Sequence, residues 1–317
     1  MISIPFLKKF SAFNPQDSIG IDWGMKGFKW VQLESPRPGI HRLKYLDYLE
    51  LPQEEDRMMA TLKDYCKENG FIGKPAAVSI QDETLHIRRL ELPRMPEEDL
   101  KEAVRWQMRD IAEGSLDDYI VRHTILEEIP GPDMVRLVLT GYAIKKSAIH
   151  HHLQLLERAG LKPFFIEPTP VATATALERV SPSSEGEWQG CVDIGCKKSY
   201  FLAIGNGKLH LVRPLAGVQA EQIDVLGENY ATKLAMEIQH AIDALSITYH
   251  IERLEKIFLA GGGASTPNLS TSLSKNLGIA VEILNPLQGL EQTVAFPLAM
   301  EKPHLFGAAL SLALLKP

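Results

Sequence analysis

Apolar and polar positions alternate along this chain in short bursts, and two of the bursts share one pattern. Ile19-Gly-Ile-Asp-Trp-Gly-Met-Lys26 and Gly190-Cys-Val-Asp-Ile-Gly-Cys-Lys197 each read as an apolar strand running into Asp-x-Gly-x-Lys. A second apolar strand follows each copy, over 28–33 and 200–204, so each predicts a β-hairpin. After the first hairpin, 42–51 predicts a third strand. The spacing of Met58, Leu62, Tyr65 and Cys66 predicts a helix over 54–70, stopped by Asn69-Gly70. A short buried strand follows at 76–80. The second copy leads to a strand at 210–213, a long helix over 228–253, a strand at 257–259, a helix at 269–277 and a strand at 281–284.

Between the two repeats the pattern changes. An Arg-bearing strand over 85–92 ends at Pro93-Arg-Met-Pro96, and a helix over 97–111 starts with three acidic residues, where the helix dipole favours them. Strands at 119–126 and 134–143, a helix over 146–159 and a strand at 163–167 complete a βαββαβ unit expected to hold its own core. An alanine-rich helix over 169–180 and the breaker-rich linker Pro182-Ser-Ser-Glu-Gly-Glu separate it from the second repeat. The apolar stretch 304–315 predicts a terminal helix docking on the first half. The domain reading is therefore a first half over 1–83, an inserted subdomain over 84–167, a return helix and linker over 168–184, a second half over 185–303 and the terminal helix over 304–317.

The duplicated hairpins carry the candidate chemistry. Backbone N–H groups in a tight glycine turn form a nest for phosphate oxygens. An adjacent carboxylate, Asp22 or Asp193, can hold a hydrated Mg²⁺ through its waters. A third cluster, Leu259-Ala-Gly-Gly-Gly-Ala264, follows an apolar strand and lets backbone approach a base or ribose. Two facing acidic hairpins and a late glycine loop describe a cleft between related halves, suited to nucleotide phosphates.

Composition narrows the classes. With 317 residues and 45% hydrophobic content, the chain can bury one or two cores. Its net charge of −6 offers no attraction to nucleic acid. Cys66, Cys191 and Cys196 form neither a disulfide framework nor a zinc spacing, which suits a reducing compartment. The start lacks a signal-peptide pattern, no stretch is long enough to span a bilayer, and the reading is soluble and cytoplasmic. His150-His-His152 cannot converge on one ion, because consecutive helical side chains point about 100° apart. Ile4-Pro-Phe-Leu-Lys-Lys-Phe10 is basic and apolar but too short for more than marginal membrane contact.

The segments Gly20-Ile-Asp-Trp-Gly, Arg89-Leu-Glu-Leu-Pro-Arg-Met-Pro-Glu-Glu, Ala159-Gly-Leu-Lys-Pro, Val192-Asp-Ile-Gly, Leu259-Ala-Gly-Gly-Gly-Ala and Asn285-Pro appear in one order over nearly the whole chain. In this the chain resembles the PilM family of type IV pilus assembly proteins. The resemblance implies a bilobed α/β fold of the actin, Hsp70 and sugar-kinase superfamily, with a 1C-type subdomain inserted in the first half. It also implies ATP in the interdomain cleft and a groove near the insert for the cytoplasmic N-terminal tail of PilN, an inner-membrane partner, within a platform that includes assembly motors. By that resemblance Asp22, Gly24 and Lys29 match the first phosphate loop, Asp193 and Gly195 the second, and Gly261, Gly262 and Gly263 the adenosine loop. Lys26 and Lys197, which close the two repeats, join the candidate set.

Two departures bear on the nucleotide. The family has small hydroxyl residues after the first Asp-x-Gly, where this chain reads Met25-Lys-Gly27. Each lost hydroxyl removes a bond to a charged group worth roughly 1.5–3 kcal/mol, which Lys26 replaces only with a point charge. Gly217 stands alone where the family has paired glycines, and the short segment before the long helix implies a shortened or absent 2B subdomain. Nothing identifies itself as a base for hydrolysis; Glu167 is the best candidate and doubles as a cap for the next helix. The sequence therefore leans towards a scaffold over an ATPase. The alternatives are an actin-fold small-molecule kinase, which needs an intact Mg-ATP site, and the cytoplasmic platform domain of a type II secretion system.

Overall fold

Both repeats fold as the alternation requires. In the first, β1 (Ile19–Gly24) pairs antiparallel with β2 (Gly27–Arg37), and Gly24 stands opposite Gly27, so Met25 and Lys26 form a two-residue turn. In the second, β9 (Trp188–Ile194) pairs with β10 (Ser199–Gly205), with Ile194 opposite Ser199. The computed structural model describes residues 18–316 apart from 38, 53, 133, 252 and 293. The basic segment 4–10 and the start of the chain lie outside the described residues.

Each hairpin extends into the same unit. In the first lobe β3 (Ile40–Glu50) adds antiparallel to β2, and β4 (Pro75–Ile80) and β8 (Lys162–Pro168) add in parallel on the other side of β1. The order is β3-β2-β1-β4-β8, with the two-residue β14 (Glu291–Gln292) beside β3. In the second lobe β11 (Lys208–Leu215), β12 (Lys256–Ala260) and β13 (Val281–Ile283) give β11-β10-β9-β12-β13. The same order with the same pattern of parallel and antiparallel pairs is a duplication in space, and it is the expected actin-like fold.

Parallel neighbours need crossover helices. Between β12 and β13 runs α7 (Leu269–Leu277); between β4 and β8 runs α3 (Lys146–Arg158), facing α1 (Glu55–Glu68). Between α1, α3 and the sheet lies a core that includes Trp30, Phe28, Leu62, Phe71 and Leu156. The second lobe packs α6 (Asn229–Tyr249) against its sheet through Leu234, Ile238, Ala241 and Leu245. Burying a side chain of this size contributes about 1.5–3 kcal/mol.

The segment read as a six-element insert divides. A separate sheet holds β5 (His86–Pro93), β6 (Tyr119–Ile129) and β7 (Arg136–Lys145) in the order β5-β7-β6. With α2 (Glu97–Gln107) it encloses Leu90, Leu100, Val104, Met108 and Leu139. The helix over 146–158 and the strand after it belong to the first lobe instead, since β8 fills the position beside β4. Alternation marks a strand but not the sheet it joins. The insert also reaches the second lobe: the Arg89 guanidinium lies 5.0 Å from the Tyr249 ring centroid, and Lys208 Nζ donates to the Leu126 carbonyl at 2.6 Å. Arg88, its neighbour, is exposed and bonds the Gln107 carbonyl.

Two helices close the floor between the lobes. The alanine-rich α4 (Thr169–Val180) lies against α9 (Gly307–Ala313), the α-helical part of the expected terminal helix. Small residues allow the approach, with Ala172 and Ala308 in one cluster and Gly307 beside Ala176. At Gly20 a Cβ would overlap the Ala309 carbonyl oxygen, so α9 sits directly on β1. Gly20→Ala is expected to lower stability by on the order of 1–3 kcal/mol, because backbone has to move where a side chain cannot yield. Denaturant melts check this; an unchanged midpoint would mean that α9 does not rest there.

Candidate functional site

Parallel pairing sets the first group of site residues. Asp22 on β1 is in register with Ser79 on β4, both at the ends of their strands. Ser79 Oγ donates to Asp22 Oδ1 at 2.5 Å, and Lys29 Nζ donates to Oδ2 at 2.7 Å. The same offset in the second lobe places Asp193 on β9 beside Ala260 on β12. Thr173 of α4 donates to Asp193 Oδ2 at 3.3 Å.

The two aspartates face one cavity of about 760 Å³ between the lobes. Of the ten candidates from the sequence, Asp22, Gly24, Lys26, Lys29, Asp193, Gly195, Lys197, Gly261 and Gly262 line it. Gly263 does not: it packs behind the wall, where a Cβ would overlap Ile194, and its N–H goes to the Ile194 carbonyl. Gly261 takes φ of +79°, and a Cβ there would overlap Asp193 Oδ1, so this turn needs glycine.

Burial and charge act together here. Burial raises the Asp193 carboxyl, and the Asp22 charge raises it further, to about 6, against the opposing pull of Lys29 and Thr173. Burial alone would lower the Lys29 ammonium, but Asp22 and then Asp193 outweigh it and raise the group. The lysine thus sits in the field of both lobes.

Several wall residues escaped the sequence reading. Thr173, Lys198 and His304 in the wall, and Ser79 buried behind Asp22, carry no motif of their own, although hydroxyls four apart in an alanine-rich helix, Thr169 and Thr173, are a signal. Lys198 Nζ reaches across to the Asp82 carbonyl at 3.3 Å. Two buried polar atoms of the wall, Thr169 Oγ1 and His304 Nε2, have no hydrogen-bond partner among the described residues. Buried polar atoms are rarely left so unless a ligand or water meets them. Trp23 also faces the cavity, with its ring 4.5 Å from His152 and 4.6 Å from Phe28. His152 bonds the Ala148 carbonyl while His150 and His151 are exposed, so the three histidines go separate ways. Glu167 does not line this cavity, and it is not the cap of α4: Pro168 holds that position with no side-chain cap bond. Burial raises its carboxyl to about 7.

The wall fits the phosphates and base of a nucleotide better than it fits the metal. Glycine turns and lysines meet an anion, and unpaired Thr169 and His304 can meet a base or sugar. For a hydrated Mg²⁺ the expected carboxylate is already engaged, since Asp22 accepts from Lys29 and Ser79.

The raised Asp193 has a consequence for stability. Its folded pKa, about 6, exceeds its ordinary 3.8, so ionisation opposes folding and this cost grows as pH rises from 4 to 6. Asp193→Asn is expected to stabilise the protein above pH 7 by on the order of 2 kcal/mol and to lose that advantage near pH 4. Thermal melts of both proteins across this range check it; a pH-independent difference would contradict the assignment.

Comparison with known proteins places this geometry. A family model described as the type IV pilus assembly protein PilM matches residues 218–315. The chain superposes on a solved structure, the PilM-PilN type IV pilus biogenesis complex, with a TM-score of 0.80 at 19% identity, covering 95% of this chain and 98% of that one. A Bacteroides thetaiotaomicron protein of actin-like ATPase fold and unknown function gives 0.49 at 14% identity, covering 90% and 95%. The cytoplasmic domain of EpsL, an inner-membrane component of the type II secretion system of Vibrio cholerae, gives 0.47 at 10% identity, covering 82% and 93%. No curated protein matches the chain. The chain is similar to PilM in fold over nearly its whole length, that fold is actin-like, and residues 218–315 match the PilM family model.

Proposed function

We propose that the chain is a scaffold of a type IV pilus assembly platform, holding the cytoplasmic N-terminal tail of a PilN-like inner-membrane protein and linking it to the assembly motors. The observation that carries this is the superposition on PilM over 95% of the chain, insert included. Among the described residues no helix is long and apolar enough to cross a membrane, so attachment through a partner suits the reading, with the chain on the cytoplasmic face. The divisions at 168–184 and 185–303 belong to this reading, with the insert expected over 84–167 reduced to its three-stranded sheet and α2 and the elements over 146–168 counted with the first lobe.

The tail's seat in this reading lies beside the insert. β5 and β11 are both edge strands, with unpaired backbone groups of the kind to which an extended peptide adds. Between them lies a cavity of about 300 Å³ with Leu85, Ile87, Val212, Pro214 and Leu215 in its wall. It shares Glu83 and Lys198 with the larger cleft, so a tail here would feel what the cleft holds. In the cleft we place the phosphates of a nucleotide of the ATP type against Lys29, Gly24 and Gly195, with its nucleoside toward Gly261 and Gly262, as a structural or regulatory ligand rather than a substrate.

Titration calorimetry with a synthetic tail peptide of the PilN-like protein from the same organism tests the reading. One-to-one binding, weakened at least tenfold (about 1.4 kcal/mol) by Ile87→Asp, is the expected result. Absence of binding, together with phosphoryl transfer from ATP to a small alcohol, would make the chain a kinase instead.

A further inference from the structure

The cleft carries its own cations. Five lysines line it, Lys26, Lys29, Lys197, Lys198 and Lys302, against four acids, Asp22, Glu83, Asp193 and Glu221. This local excess of positive charge stands in a chain whose net charge is −6. Four of the five come from the two hairpins, three of them at the turns and Lys29 on β2, so they converge from both lobes on the space where the glycine turns meet.

Lys29 has the decisive position. Its ammonium is bonded to Asp22 Oδ2 at 2.7 Å, while Ser79 occupies Oδ1. It also lies in the field of Asp193 from the other lobe. A hydrated divalent cation serving two such aspartates would stand where positive charge is already held. Repulsion by the ammonium would then be added to the cost of releasing Asp22 from two donors. The first turn, Met25-Lys26, supplies no hydroxyl to a phosphate, whereas a lysine offers three rotatable N–H donors and a full charge.

Resting on the reading of this cleft as a nucleotide site, we propose that it takes the metal-free triphosphate, with Lys29 and the turn lysines in the place of Mg²⁺. The ligand class is an uncomplexed polyphosphate anion bearing a base. Mg²⁺ competes for that ligand in solution, so added magnesium weakens binding. Salt weakens it too, because exposed lysines at the turns are screened.

Titration calorimetry of the full chain with ATP in EDTA and in excess magnesium tests this, with tripolyphosphate and adenosine as separate arms. ATP is expected to bind more tightly in EDTA than in magnesium. Tripolyphosphate alone should retain part of that affinity and adenosine little. Lys26→Ala and Lys197→Ala, both at exposed turn positions, should each weaken ATP in EDTA by about tenfold. Lys29→Gln empties the place between the aspartates and should make binding magnesium-dependent. Binding of ATP by the unaltered chain only with magnesium would overturn the proposal and leave the nucleotide site standing. No binding of ATP or tripolyphosphate in either condition would overturn both, while tail binding, measured separately, judges the scaffold reading.

Discussion

The ammonium of Lys29 is bonded to Asp22 of its own lobe and lies in the field of Asp193 of the other, and much of the architecture serves to hold it there. At 4 Å and an effective dielectric near 20, a pair of unit charges interacts by about 4 kcal/mol, and removing one partner of a buried pair costs about 3–5 kcal/mol. Asp22 is fixed by β1 and by Ser79 of β4. Asp193 is fixed by β9 and by Thr173 of α4. The charge balance of the cleft therefore depends on how the two lobes are set against each other, and the lobes feel any ligand that changes it.

That setting rests on close contacts below and beside the cleft. Beneath it, α4 and α9 cross where Ala172, Ala176, Gly307 and Ala308 leave no bulk, and α9 lies on Gly20 of the same strand that presents Asp22. Beside it, Arg89 on Tyr249 and Lys208 on the Leu126 carbonyl tie the insert to the second lobe. The insert is continuous with the first lobe and in contact with the second, so a peptide seated on it and a ligand in the cleft act on one frame. On the proposed scaffold reading, this shared frame is what would couple a partner's tail to a ligand in the cleft.

The duplication and the cleft were legible because they are local. Asp-x-Gly turns between apolar strands are read from eight residues, and nine of ten candidate residues reached the cavity wall. What escaped depends on pairing across distance. Ser79 becomes a site residue only because β4 lies parallel to β1, and His304 only because the segment before α9 returns to Gly261, whose N–H meets the His304 carbonyl at 3.3 Å. The fate of 146–168 was illegible for the same reason, since a strand's periodicity does not name its neighbour. Glu167 misled as a cap, because the proline after it already sets the helix start.

The claim at the centre is that one ligand is held jointly by both hairpin turns. Hydrogen–deuterium exchange of the full chain with and without ATP tests it directly, because amide protection reports which backbone a ligand steadies. Joint slowing over 23–27, 195–198 and 261–263 is the result this structure predicts. Slowing confined to one lobe, or to the insert alone, would contradict it.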